Sequence, residues 1–260
     1  MTKPIIYLES DLFSEDEHQN TRKIIEQYFN IKSTSSELIL QSKARHNKGH
    51  TLDAQMKLNP YFRASLNVAK QIGKDFKYAN ALNWVPYFRE YLIDPKHTFF
   101  NDLKWIKDYF TDFDITFIRP CDPFKSFSGQ VFDSKDSFLN EYRFVTHNLN
   151  IEDNLMCMLS DAHFINNEYR CIFINNKYIS GSKYYSNGVM ELDSEVPQKV
   201  IEFAEKISNT SYFRNIFNYV IDVAEIQKKL HLIEINAFET ASFYAADLDK
   251  IYKYWAQKYD

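Results

Sequence analysis

The residues whose types and spacing could do chemistry lie late in the chain, in the stretch VIDVAEIQKKLHLIEINAFETASFYAA from Val220 to Ala246. Two short apolar runs, 219–224 and 230–235, flank the polar Gln227-Lys228-Lys229, which predicts an antiparallel hairpin with a short turn. Side chains two apart on a strand share a face, so Glu234 and Asn236 project together, and the paired strand can set Asp222 beside them. Two carboxylates and an amide oxygen converging among apolar neighbours repel one another unless a cation sits between them, and an all-oxygen set suits Mg²⁺. The same alternation also describes the wet face of an ordinary amphipathic hairpin.

A second set stands mid-chain. The run DITFIRP, 114–120, reads as a strand ending in the cation Arg119, and it leads into Cys121-Asp122-Pro123-Phe124-Lys125-Ser126-Phe127-Ser128-Gly129 before a further apolar run, 130–132. Such a strand and small-residue loop can fold over a polyphosphate, with backbone amides, Ser126, Ser128, Arg119 and Lys125 as donors. Arg119 offers a rigid fork and Lys125 a mobile point charge, suited to different phosphate oxygens. A plain hairpin with a surface lysine fits these residues too, and they do not match the P-loop pattern. On the strand 168–174, Glu168 and Arg170 leave the same face, and Lys183 follows on the hairpin partner 177–182 across an Asn175-Asn176 turn. These three read either as a cross-strand ion-pair set or as ligand contacts.

The elements around them read as mixed α and β. With 260 residues, 45% hydrophobic and 25% charged, the chain has the composition of a folded globular protein of one large domain or a few lobes. Only five glycines accompany 22 Phe and 18 Tyr, so long flexible loops are few. A net charge of -4 argues against a general nucleic-acid or membrane-surface binder. Cys121, Cys157 and Cys171 are odd in number and form no C-x-x-C pair, which points away from a disulfide framework or zinc site and towards a reducing cytoplasm. The N-terminus lacks the apolar core of a signal peptide, and no run approaches the ~20 apolar residues of a membrane span.

In chain order, a strand at 4–9 precedes a helix that starts at an acidic capping box, Ser14-Glu15-Asp16-Glu17, and runs through Phe29. A second strand is expected at 37–41, mixed helical signals at 52–74 broken by Pro60, a helix from Asn83 through Leu92 and an aromatic-rich helix at 99–110. His46 and His50 flank Gly49 in a polar segment without the intervening Glu of a zinc protease, and read as loop. Strands follow at 142–147 and 155–159, a turn at Ser186-Asn187-Gly188, then helices at 196–208 and 247–258.

A strand with a terminal cation, a small-residue loop, a strand pair bearing a Glu and a hairpin bearing D…E-x-N resemble the ATP-grasp superfamily. The spellings FIRPCDPFKSFSGQVF, NEYRCIFINNKYISGSKYY and VIDVAEIQKKLHLIEINAFETASFYAAD look like a clade of phages and bacteria named for two arginines and one lysine. The resemblance covers roughly residues 80–255, with E-x-N and its preceding Asp the most specific part. It implies an α+β ATP-grasp fold that holds the nucleotide between two α+β lobes over 81–260, after a small α/β N-terminal lobe at 1–80. By resemblance, Arg119 stands for the usual phosphate-binding Lys, Lys125 to Gly129 for the loop over the phosphates, and the strand containing Cys157, Met158 and Leu159 for the hinge that reads adenine. Glu168 is then the ribose ligand and Asp222, Glu234 and Asn236 the Mg²⁺ ligands, with Arg170 and Lys183 facing the γ-phosphate and the acyl phosphate.

Two departures stand out: Val220 occupies the position two before the metal-binding Asp where many such ligases have Arg, and the hinge lacks its usual acidic residue. The resemblance implies a cytoplasmic, ATP- and Mg²⁺-dependent ligase that activates a carboxylate as an acyl phosphate. The acyl group is then joined to an amine or thiol on a small molecule, peptide or protein, in a bacterial or phage-infected cell. A nucleotide-binding module without turnover and a phosphotransferase are the alternatives.

Overall fold

The computed structural model describes residues 3–9, 15–35, 59, 61–110 and 115–257. Three sheets organise them. At the N-terminal end, β1 (Ile5–Glu9) lies between β2 (Asn30–Thr34) and β3 (Phe62–Arg63), all parallel, with helix Glu15–Tyr28 making the crossover from β1 to β2. A four-stranded antiparallel sheet has the order β4 (Phe99–Asp102), β7 (Met156–Asp161), β5 (Thr116–Pro120), β6 (Gln130–Phe132). The third, also antiparallel, runs β10 (Val189–Asp193), β9 (Lys177–Ser186), β8 (Asn167–Ile174), β11 (Asn218–Ile226), β12 (Lys229–Ala237).

In the five-stranded sheet β8 and β11 are central and covered on both faces, which is why they read as apolar runs with few interruptions. Cys171, Phe173, Ile221 and Val223 point towards helix Gln198–Ser208, through Val200, Ala204 and Ile207. Ile172, Ile174 and Val220 point the other way, onto helix Leu248–Ala256 and onto Ile6 and Leu8 of the first sheet. That second helix covers only part of its face. The polar residues Glu168, Arg170 and Asp222 occupy the remainder, and their strands place them opposite the four-stranded sheet.

The hairpin turns at Asn175-Asn176 and at Gln227-Lys228 form as the sequence predicts, each with both residues in the left-handed region. Elsewhere the structure corrects the reading. Phe99–Asp102 is a strand, because it pairs with β7; the helix starts only at Leu103, where the Asp102 side chain accepts from the Trp105 amide. The expected strand at 142–147 is helical: Ser134 caps helix Lys135–Arg143, which continues into a wide π turn, Phe144–Asn148. Phe138 and Val145, seven apart, both reach one core, a helical spacing hidden by the β-prone letters between them. The edge strand β10 has no counterpart in the sequence reading. The helix expected from Asn83 to Leu92 ends at Tyr87, with a short 3₁₀ turn after it, and the region 52–74 contains a helix at Leu66–Gln71. The expected strand at 37–41, His46, His50, Pro60 and the Ser14 cap lie outside the described residues. No helix among the described residues is long and apolar enough to cross a membrane.

Candidate active site in the cleft between two sheets

Register brings the three acidic and amide groups together. Asp222 on β11 stands directly opposite Glu234 on β12 and opposite Arg170 on β8, while Asn236 lies one residue pair along on the same face. The Asn236 amide sits 2.8 Å from Asp222 Oδ2 and 2.9 Å from Glu234 Oε2, so all three side chains converge on one point. Asp222 and Asn236 are buried, and Glu234 is nearly so. The donor set is all oxygen once the amide presents its carbonyl, an orientation that hydrogen bonding and not the backbone selects. It fits a hard divalent cation.

Arg170, expected against phosphate, takes a different place. Its Nε and Nη2 donate to both oxygens of Asp222 at 2.9 and 2.7 Å, and Nη1 donates to the Ser242 carbonyl at 2.9 Å. Burial would lower its pKa, and the Asp222 carboxylate more than reverses that. Arg170 therefore holds the position of Asp222. The rings of Tyr184 and Tyr244, stacked 4.8 Å apart, lie close to its guanidinium.

From the opposing sheet two cations reach across to Glu234. Arg119, on β5, donates to Oε1 at 2.5 Å, and Lys125, in the loop after it, donates to Oε2 at 2.9 Å. Burial alone would raise the Glu234 pKa; Arg119 and Lys125 hold it well below the usual carboxylate range. The expected loop forms with Lys125 in the left-handed region. The Asp122 carboxylate accepts the backbone amides of Phe124 and Ser126, so these two amides are already used within the loop. Ser128 and Gly129 are exposed. Gly129 permits a close approach: a Cβ there would stand 2.9 Å from both Arg119 Cβ and the Phe117 ring.

Alternation along β7 divides the expected hinge. Met158 pairs with Arg119 and faces the cleft, whereas Cys157 and Leu159 point into the core behind the sheet with Ile118. The residues that border the cleft at this end are Met158, Ser160, Asp161, His163 and Ile165. Glu168 lines the cleft and accepts from the Tyr184 hydroxyl at 2.6 Å. Burial raises its pKa, the Tyr184 bond opposes this, and Asp222 and Glu234 add to it. Lys183 does not join the site. A bulge at Ile172/Phe173 sets it opposite Tyr169, so it leaves the sheet on the other face from Arg170 and pairs with Glu191 of β10.

The cleft has a volume of about 380 Å³ and joins Arg119 and Phe117 on one sheet to Glu168, Tyr184, Ile233 and Glu234 on the other. Sequence reasoning missed Tyr184, and also Asp94 and Thr98, which close one side. Tyr184 could have been found as the aromatic in the repeated Tyr-Tyr of KYYS, but nothing in the sequence marks Asp94.

The sequence from 84 to 254 matches the model of an ATP-grasp domain, family 2 of the clade named for two arginines and one lysine. No curated protein matches the chain. Among solved structures, the chain is similar to a D-cycloserine synthetase, at TM-score 0.59 and 10% identity over 97% of each chain. It is also similar to an ATP-grasp ligase complexed with a minimal precursor, at TM-score 0.58 and 8% identity over 98% of this chain and 99% of that one. A third is a Chryseobacterium gregarium RiPP-associated ATP-grasp ligase in complex with ADP and a leader and core peptide, at TM-score 0.56 and 12% identity over 98% of this chain and 96% of that one. At these identities the likeness shows a shared fold, and it extends through the N-terminal sheet as well as the matched region. The two sheets facing across a cleft are the ATP-grasp architecture, and the chain belongs to the ATP-grasp superfamily, in family 2 of the two-arginine, one-lysine clade.

Proposed function

We propose that this protein is an ATP-dependent ligase that converts a carboxylate to an acyl phosphate and joins it to an amine. The observation that carries the proposal is the meeting of Arg119, Lys125 and Glu234 across the cleft, beside Asp222 and Asn236. In the first reaction a substrate carboxylate oxygen bonds to the γ-phosphorus and ADP departs; in the second the amine bonds to the acyl carbon, losing a proton, and inorganic phosphate departs. Both steps crowd negative charge, and fixed cations stabilise them electrostatically.

Arg119 and Lys125 are placed to take phosphate oxygens, exchanging Glu234 for them. Glu168 would accept from ribose hydroxyls, and Met158 with Ile233 would enclose the base. Asp222, Glu234 and Asn236 would hold Mg²⁺, which when bound screens the phosphate charge. Arg170 is a positioning residue that keeps Asp222 aimed. No side-chain nucleophile is required, in keeping with the state of the cysteines: all three are buried thiols, and burial pushes Cys121 up to about 12. We assign residues 1–80 to an N-terminal lobe and the remainder to the ATP-grasp domain. We place the protein in the cytoplasm of a bacterium or phage-infected cell, acting on a small molecule, peptide or protein.

Purified protein should release ADP and free phosphate from ATP only when a carboxylate and an amine acceptor are both supplied. Glu234→Ala should reduce that release by at least about a hundredfold, the loss expected when one electrostatic support of the transition state is removed. ATP binding without turnover across a broad acceptor panel would favour a non-catalytic nucleotide-binding module. Phosphate found on the acceptor would favour a phosphotransferase.

A further inference from the structure

Four side chains apart from the phosphate cations and the Mg²⁺ ligands meet at the rim of the cleft: Asp94 and His97 from the loop before β4, and Asp161 and His163 from the end of β7 and the link after it. His97 Nδ1 stands 3.0 Å from Asp94 Oδ2 and 3.0 Å from Asp161 Oδ2, and His163 Nε2 lies 3.9 Å from the same Asp94 oxygen. Asp94, Asp161 and His163 border the cleft itself.

The backbone prepares this meeting. The Asp94 carbonyl accepts the amide and the hydroxyl of Thr98 at 3.1 and 2.5 Å, and Asp94 Oδ1 accepts the His97 amide at 3.1 Å, which closes 94–98 into one turn. Arg89 secures that turn by donating to the Thr98 carbonyl at 2.8 Å. The antiparallel pairing of Phe99 with Leu159, continued by two residues on each strand, sets His97 opposite Asp161.

The cluster has more lone pairs than protons. A neutral His97 ring has one N–H, so Nδ1 can donate to one of the two carboxylates at most. Among the described residues no Lys or Arg pairs with Asp94 or Asp161, although the two carboxylates come from different elements and converge on that nitrogen. A cation at the centre would take the place of the missing protons. With metal–ligand bonds of about 2.0–2.2 Å, the edge of a coordination tetrahedron is about 3.3–3.5 Å. The separations of 3.0, 3.0 and 3.9 Å fall on either side of it. Mg²⁺ takes oxygen ligands, whereas two imidazoles with two carboxylates suit Zn²⁺.

We propose that Asp94, His97 and Asp161, with His163 as fourth donor, form a second metal site of the Zn²⁺ class, which ties the loop before β4 to the end of β7. Asp161 lies three residues along β7 from Met158, the partner of Arg119, so this site stands about 10 Å along the sheet from the phosphate cations. It uses no thiol and shares no ligand with Asp222, Glu234 and Asn236, and it goes beyond the ligase reading without depending on it.

Calorimetric titration of the full chain with Zn²⁺, in excess Mg²⁺, tests the proposal. The wild-type chain should bind Zn²⁺, and folded Glu234→Ala should keep that binding. His97→Ala and Asp161→Asn change side chains that are 64% and 59% exposed, so both variants should fold. Each should weaken Zn²⁺ binding at least about tenfold, since loss of even an outer partner of a metal ligand costs that much. Zn²⁺ should also raise the thermal midpoint of the wild type more than that of either variant. Absence of Zn²⁺ binding by the wild type, a smaller loss in His97→Ala or Asp161→Asn, or loss of the binding in folded Glu234→Ala would overturn the proposal.

Discussion

At the scale of residues, the site is a chain of charges in which each member is held by the next: Arg170 forks Asp222, Asn236 bridges Asp222 to Glu234, and Glu234 takes Arg119 and Lys125 from the other sheet. Such a chain makes single deletions expensive. Asp222→Asn leaves the buried Arg170 without its counter-charge and should destabilise the protein by about 3–5 kcal/mol, measured by urea unfolding. Replacing both partners with apolar residues of similar volume should recover most of that stability while metal-dependent nucleotide binding stays lost.

Glu168 provides a pH-dependent counterpart. Burial raises its pKa above the ordinary 4.5, so between that value and its folded pKa the native state binds more protons than the unfolded chain. Its contribution to stability therefore falls as pH rises through that window. Glu168→Gln should raise the melting temperature more well above the ordinary carboxylate titration than below it, and a uniform shift would contradict the assignment.

At the scale of elements, the β5–β6 unit carries both cations, and its geometry depends on the absence of a side chain at Gly129. Gly129→Ala would force β6 away from Phe117 and the root of Arg119. ADP affinity should fall about tenfold, roughly 1.4 kcal/mol, with little loss of folding stability. Calorimetry of ADP binding beside thermal unfolding separates the two effects. In the five-stranded sheet the burial of β8 and β11 on both faces explains why their polar residues are few, with Glu168, Arg170 and Asp222 together on the cleft face.

At the scale of the molecule, the first sheet and the C-terminal helix share a core: Ile6, Leu8 and Phe29 pack with Phe238, Tyr252 and Trp255. The same Phe238 begins the loop that Arg63 and Arg170 hold. Trp255→Ala should therefore cost about 3–5 kcal/mol and loosen the loop as well as the helix. Thermal unfolding reads the first effect, and the second should appear as faster hydrogen exchange at residues 238–244. ADP with Mg²⁺ at about a hundred times its Kd should add about 2.7 kcal/mol to the stability of the wild-type chain.

The sequence by itself determined the late hairpin, its turn, and the shared face of Glu234 and Asn236, because a period of two and a short polar turn are local properties of the chain. It also determined the strand and loop that carry Arg119 and Lys125. Only the tertiary structure decided the partners. Strand register, with its bulges, put Asp222 between Arg170 and Glu234 and turned Lys183 to the other face. Alternation on a sheet whose pairing was unknown separated Met158 from Cys157 and Leu159. Helix 135–143 and strand 99–102 depended on a cap and a neighbouring strand that overrode local propensity. Arg63 carried no local mark at all, since its bonds to the carbonyls of Phe238 and Ala241 exist only where the first sheet and the loop after β12 close around it.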